Sequence, residues 1–214
     1  IFMSKNRAIT LANRDSFYLT TTPAGESSYM IYDFNSEPLG ENDIYYFAII
    51  GVVVEGTDTT FSPLAFAETS PVRMGIDTIY ILGSDSACAF NFENQVAVRF
   101  GETTIEPDFY FDRVPGGTIT GFGIKSPHLA GSAWTGVSNF KFLGTLAFEE
   151  YTQTSDSTWS STNYEEIRTG VFAIKTARNN FVKIKIRAWP EISDSLTALI
   201  FEYKYQTKAG YRRF

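Results

Sequence analysis

The side chains in this sequence that could do chemistry are few and scattered. His128, in KSPHLAGSAW, is the only imidazole, and Cys88, in SACAFNF, is the only thiol. Nucleophilic catalysis needs a nucleophile beside a base that a third group holds in place. Any such arrangement here must recruit His128, and neither a nucleophile elbow nor a cysteine motif accompanies it. The carboxylate pairs Glu149–Glu150 and Glu165–Glu166 have the residue types for acid–base work on a glycosidic bond. Adjacent side chains on a strand point to opposite faces, so neither pair forms a ready dyad. One cysteine excludes an intrachain disulfide and a cysteine-built zinc site, and the sequence ACA around it reads as small core residues. Gly116–Gly117 and the GFG at 121–123 lack a strand-then-helix frame and read as turns. The carboxylates at Glu55–Asp58 and Asp85 are of the type that ligates calcium, but without EF-hand spacing they read as solvated loops. The chemistry points to a protein that binds and does not catalyse.

Aromatic residues beside polar loops are the clearest binding candidates. Trp134, Trp159 and Tyr164 have the flat faces and polar neighbours that suit a sugar ring, and such residues mark binding surfaces more often than catalytic ones. Capping the end of a sandwich core is the favoured role for each, with the binding platform as the alternative.

The elements that must position these groups are strands. Aromatics make up 16% of the 214 residues, and Phe and Tyr favour half-buried pleated surfaces. Short apolar alternation is broken repeatedly by Gly, Pro, Asn and Asp, with no sustained helical period. The expected fold is a single all-β domain over residues 1–214, an antiparallel sandwich or flattened barrel. Strands are expected at Phe17–Thr21, Tyr29–Asp33, Tyr45–Val54, Thr78–Leu82, Ala87–Phe92, Val96–Phe100, Asp108–Arg113, Thr118–Ile124, Asn139–Tyr151, Val171–Thr176, Phe181–Trp189 and Thr197–Gln206. Turn chemistry at Pro23–Gly25, Pro38–Gly40, Asn91–Asn94, Pro115–Gly117 and Asn179–Asn180 separates them. The capping-box spacing of Thr162 and Glu165 predicts one two-turn helix ending near Ile167, after a surface loop at Ser155–Thr162.

The net charge of −6, with cations dispersed, argues against gripping a phosphate backbone. The longest apolar run, Phe47–Val54, falls well short of the roughly 20 residues that span a bilayer and reads as a buried strand. The opening IFMSKNRAIT has no signal-peptide pattern and starts on isoleucine, so a removed or omitted leader or anchor is expected.

In FVKIKIRA, Val182, Ile184, Ile186 and Ala188 share one strand face, and Lys183, Lys185 and Arg187 share the other, which is expected to be solvated. In LIFEYKYQ, Leu199, Phe201, Tyr203 and Tyr205 line one side, opposite Ile200, Glu202, Lys204 and Gln206. Together with GVFAIKT these runs predict a three-stranded C-terminal meander, joined through Ala177–Asn180 and Pro190–Leu196.

This tail resembles the C-terminal meander of the HmuY family. The matching features are a strand ending in Lys175–Thr176, the alternating Lys183–Ile186 strand and an aromatic strand closing in Tyr203–Gln206, followed by Gly210 and Phe214. The resemblance covers about residues 164–214. It implies an all-β protein on the outer surface of a Gram-negative bacterium, lipid-anchored or secreted, that captures haem beside a TonB-dependent outer-membrane transporter. The family's Trp-Asp-hydrophobic-Ala-Phe strand has no counterpart in the middle of the chain, and one histidine excludes bis-histidine ligation. Haem iron also takes methionine. Under the resemblance the axial candidates are therefore His128, Met74 in the loop-like PVRMGID, and Met30 in SSYMIYD, with Trp134 flanking the ring. A surface protein that captures a ligand is the leading expectation. A glycan-binding or adhesion module and a structural subunit of a surface assembly are the alternatives.

Overall fold

Alternating apolar residues build strands in both halves of the chain, and the computed structural model is all-β, with antiparallel sheets and, among the described residues, only short 3-10 turns as helical elements. It describes every residue except Ala24, Ser27, Ser28, Ser132, Ala133, Ser155, Asp156 and Asp194. Parts of the expected turn at Pro23–Gly25, the loop at Ser155–Thr162 and the connection at Pro190–Leu196 thus lie outside the described residues. The chain packs as two compact units, Ile1–Pro71 and Val72–Phe214.

The first unit contains β1 (Phe2–Lys5), β2 (Asp33–Phe34), β3 (Glu37–Pro38), β4 (Tyr45–Ile49), β5 (Val52–Glu55), β6 (Asp58–Phe61) and β7 (Ala65–Thr69). Strands β1, β4 and β7 form one sheet in that order, while β2–β3 and β5–β6 are separate two-stranded hairpins. Its core is small: Phe2, Ile9 and Ala48 are buried, with Phe17, Tyr46, Ile50 and Leu64 packed around them. Three expectations are corrected here. Phe17–Thr21 is not a strand but the end of a 3-10 turn, Arg14–Phe17, followed by a single bridge from Tyr18 to Phe2. Tyr29–Asp33 reaches strand geometry only at Asp33. The run from Tyr45 to Val54 breaks at Ile50–Gly51, and Val52, Val53 and Val54 are exposed rather than buried. Hydrogen bonds explain the break. Gly51 N–H donates to Ser62 Oγ at 2.8 Å and Ser62 N–H donates to Gly51 O at 2.9 Å, fastening the base of β5–β6 as a hairpin of its own.

The second unit holds β8 (Val72–Tyr80), β9 (Ala87–Asn91), β10 (Val96–Arg99), β11 (Phe109–Arg113), β12 (Phe122–Lys125), β13 (Asn139–Gly144), β14 (Tyr164–Glu166), β15 (Gly170–Lys175), β16 (Phe181–Ala188), β17 (Glu191–Ser193) and β18 (Leu196–Gln206). One sheet runs β10-β9-β11-β12-β14. The other runs β13-β15-β16-β18, with β8 and β17 both pairing to β18. The predicted meander is β15-β16-β18, in a register that sets Phe172 beside Ile184 and Ile184 beside Tyr203. Its first turn closes where Asn179 takes a left-handed φ of 63°, a conformation asparagine tolerates.

Inner faces of the two sheets meet in an aromatic core. Phe90 and Phe109 each lie edge-on to Phe201, with centroids 5.2 and 5.3 Å apart, and Phe92 packs on Tyr203 at 5.2 Å. Such offset contacts are worth about 0.5–1.5 kcal/mol beyond simple burial. The arrangement is that of a sandwich; the sheets do not close into a barrel.

Two further expectations change. The predicted helix at Thr162–Ile167 is β14: Asn163 adopts a φ of 56°, and Thr162 Oγ1 donates to Tyr164 O at 3.3 Å, turning the chain into a strand instead of capping a helix. Nor is the cationic face of β16 uniformly wet. Arg187 is exposed and Lys185 half-buried, but Lys183 is only 1% exposed. Its Nζ donates to the carbonyl oxygens of Phe148 (2.7 Å) and Tyr151 (3.0 Å), so the segment around the Phe148–Glu150 turn covers that end of the outer face.

Candidate binding surface

Within the second unit, the residues singled out from the sequence do not assemble into one site. Met30 belongs to the first unit and is 71% exposed, with Tyr32 Oη donating to its sulfur at 3.4 Å. Met74 is not in a loop: it sits on β8 opposite Lys204 and is exposed. His128 lies in the short Pro127–Ala130 turn that follows β12, in the other sheet, with Nδ1 2.8 Å from Ser126 Oγ. Ser126 is fully buried, and its Oγ accepts from Ser138 N–H at 2.8 Å. Trp134 is not an open platform but core, 2% exposed among Cys88, Ala89, Val98 and Tyr110, with Nε1 donating to Glu102 O at 3.0 Å. Trp159 is half-buried against Phe181, and Tyr164 is a half-buried residue of β14.

The carboxylate pairs are engaged separately. Glu165 pairs with Arg168, while Glu166 accepts backbone N–H bonds from Thr118, Ile119 and Gly121 at 2.7–3.1 Å and from Thr120. These bonds, that from Gly121 foremost, hold the Glu166 carboxyl below its ordinary range. Deeper in the second unit, Arg178 grips both oxygens of buried Asp108 at 2.7 and 2.8 Å. Burial nonetheless pushes Asp108 up to about 6, against the pull of Arg178 and of the Phe92 N–H. Cys88 is buried as expected, and burial raises its thiol to about 11, away from the thiolate that reacts or binds metal. Among the described residues no cluster of His, Cys, Asp and Glu could hold a metal ion, and no helix is long and apolar enough to cross a membrane.

The surface that stands out was not among the sequence candidates. Cross-strand pairing in the β5–β6 hairpin sets Val52 beside Phe61 and Val54 beside Thr59, so Val52, Val54 and Phe61 share one face. All three are more than half exposed. Phe61 and Ile50 also line two adjoining grooves. One, of about 420 Å³, is walled by Phe2, Tyr18, Ile49 and Val52; the other, of about 390 Å³, by Leu11, Leu64 and Phe66. Among the side chains lining both grooves Arg14 alone carries a charge. The signal in the sequence was the valine run itself, which reports strand propensity but not whether anything covers the strand.

No family model, no curated protein and no solved structure matches this chain.

Proposed function

We propose that this chain is a non-catalytic binding protein of a bacterial surface and that it engages a protein partner through the apolar side of its first unit. The observation that carries this reading is the β5–β6 hairpin, all of whose residues are exposed, the three consecutive valines included. An isolated two-stranded hairpin is marginal in water, and monomers rarely leave such a patch uncovered. A partner that buries Val52, Val54 and Phe61 completes it. The surface location has the C-terminal sequence resemblance as its support. Haem capture and a transporter partner have that same resemblance as their support.

Photo-crosslinking in the producing cell tests the reading. A benzophenone side chain at Val54 is expected to give adducts on irradiation that the same side chain at exposed Thr103 of the second unit does not. Equal yields from the two positions would remove the docking surface.

A further inference from the structure

Resting on that reading, we infer that the partner of the first unit's apolar face is a second copy of this chain. Leu11, Tyr18, Ile49, Val52, Phe61 and Phe66 are 51–69% exposed and are linked through the two grooves. The β4–β7 register turns Ile49 and Phe66 to opposite sides of the sheet, so five of the six share a side and present on the order of 600 Å², the larger part of the roughly 800 Å² that each partner gives to a stable standard-sized interface.

Composition points the same way. Faces between identical subunits are more apolar than transient ones and poor in charge at their centre. Here the acidic pair Glu55 and Asp58 stands at the hairpin tip, and Arg14 is the one charged side chain of the groove linings, beside the α-ammonium of Ile1. Geometry supplies the remaining part. A two-fold contact requires a self-complementary surface. Strand β7 pairs with β4 on one side and, among the described residues, has no strand on the other, while its Phe66 lines one of the grooves. An open edge of this sort pairs antiparallel with its own copy about a two-fold axis, bringing the apolar faces along with it.

Charge separates this partner from others. Two copies each carrying −6 repel at a distance, so added salt strengthens their association, whereas it weakens the hold of a basic partner.

The test is light scattering on the purified full chain from about 1 to about 100 µM, across which a dimer assembles by mass action. The expected result is a mass rising from one chain to two, with more dimer at higher salt. Phe61→Glu is expected to weaken the dimer at least tenfold, the equivalent of about 1.4 kcal/mol. Met74→Glu on the second unit should leave it unchanged. Because Phe61→Glu also stresses the fold, hydrogen exchange on the wild type serves as a second measurement: amides of residues 52–61 and 65–69 slow as concentration rises. A chain that stays monomeric throughout overturns the inference, as does a dimer in which these amides are indifferent to concentration. If crosslinks from Val54 form in cells to another protein while the purified chain is monomeric, the docking reading stands and this inference falls. If neither appears, both fall.

Discussion

Lys183 and Phe148 are joined twice: the ammonium donates to the Phe148 carbonyl oxygen at 2.7 Å and lies 4.5 Å from the centroid of its ring. Phe214 adds a second ring 5.6 Å away, and the neighbouring Lys204 pairs with Glu149. A cation drawn from the middle of β16 thereby ties a segment 35 residues upstream, together with the C-terminal residue, to the outer face of the sheet. Burial is the main force on its titration, and the like charge of Lys204 adds to it. The group is lowered to about 8 despite the opposing fields of Glu149 and Glu202.

Replacing Lys183 with methionine keeps the stem but strands two carbonyl oxygens, each worth about 1–3 kcal/mol when buried without a partner. The expected loss is about 2 kcal/mol in urea unfolding, with faster hydrogen exchange at Phe148–Tyr151. The pH response has a definite sign. The native lysine sheds its proton near pH 8 and the unfolded one near 10.5, so between those values the unfolded chain holds more protons and stability from this group rises with pH. The wild-type minus Lys183→Met difference in urea midpoint should grow from pH 7.5 to 10. A flat difference would show that the ammonium is not desolvated.

Asp108 gives the opposite slope. Its native value of about 6 lies above the ordinary 3.8, so the native chain holds the extra proton between those values and gains stability as pH falls through 6. Asp108→Asn should abolish that gain. Arg178→Met removes the guanidinium that holds both carboxylate oxygens and leaves a buried charge alone, at a cost of about 3–5 kcal/mol near pH 7, part of it recovered towards pH 4. Chemical denaturation of the three proteins at pH 4, 5.5 and 7 measures both effects.

Glu166 fastens the Thr118–Gly121 loop. Glu166→Gln halves the acceptor capacity facing four N–H groups, and amide exchange at 118–121 should accelerate while the sandwich core stays protected. The wild type should show the same loosening below about pH 4.5, since a carboxyl held below its ordinary value loses its contribution as it takes up a proton.

Hemin offers a fourth check. Met74 stands on the outer face of β8 and His128 packs on Ser126 in the other sheet, so neither is placed to share an iron with the other. Any change in the Soret band on adding hemin should be the same for the wild type, His128→Ala and Met74→Ala. A loss of the band in either variant would restore that residue as a ligand.

The C-terminal sheet was legible because strict alternation over β16 and β18 leaves one register that buries the aliphatics. Lys183 was not, since its cover comes from residues 148–151, and no local pattern announces a distant lid. Trp134 sat among polar neighbours in the sequence, yet its indole N–H finds a carbonyl from residue 102, a contact set by tertiary packing alone. Thr162 and Glu165 have the spacing of a helix cap, but a left-handed asparagine between them overrides it. The valines of β5 read as core in the sequence because hydrophobicity predicts a strand and says nothing of what lies against it. The exposed face of the hairpin is thus a property of the tertiary fold alone.

The position of Cys88 has a practical consequence. As the sole thiol in the chain and one with no exposure at all, it stays silent towards a thiol reagent while the second unit is closed. Its modification rate is therefore a built-in clock for opening of the β9 region, and a spectroscopic label attached to a cysteine engineered at Thr59 would report on the hairpin without a background signal.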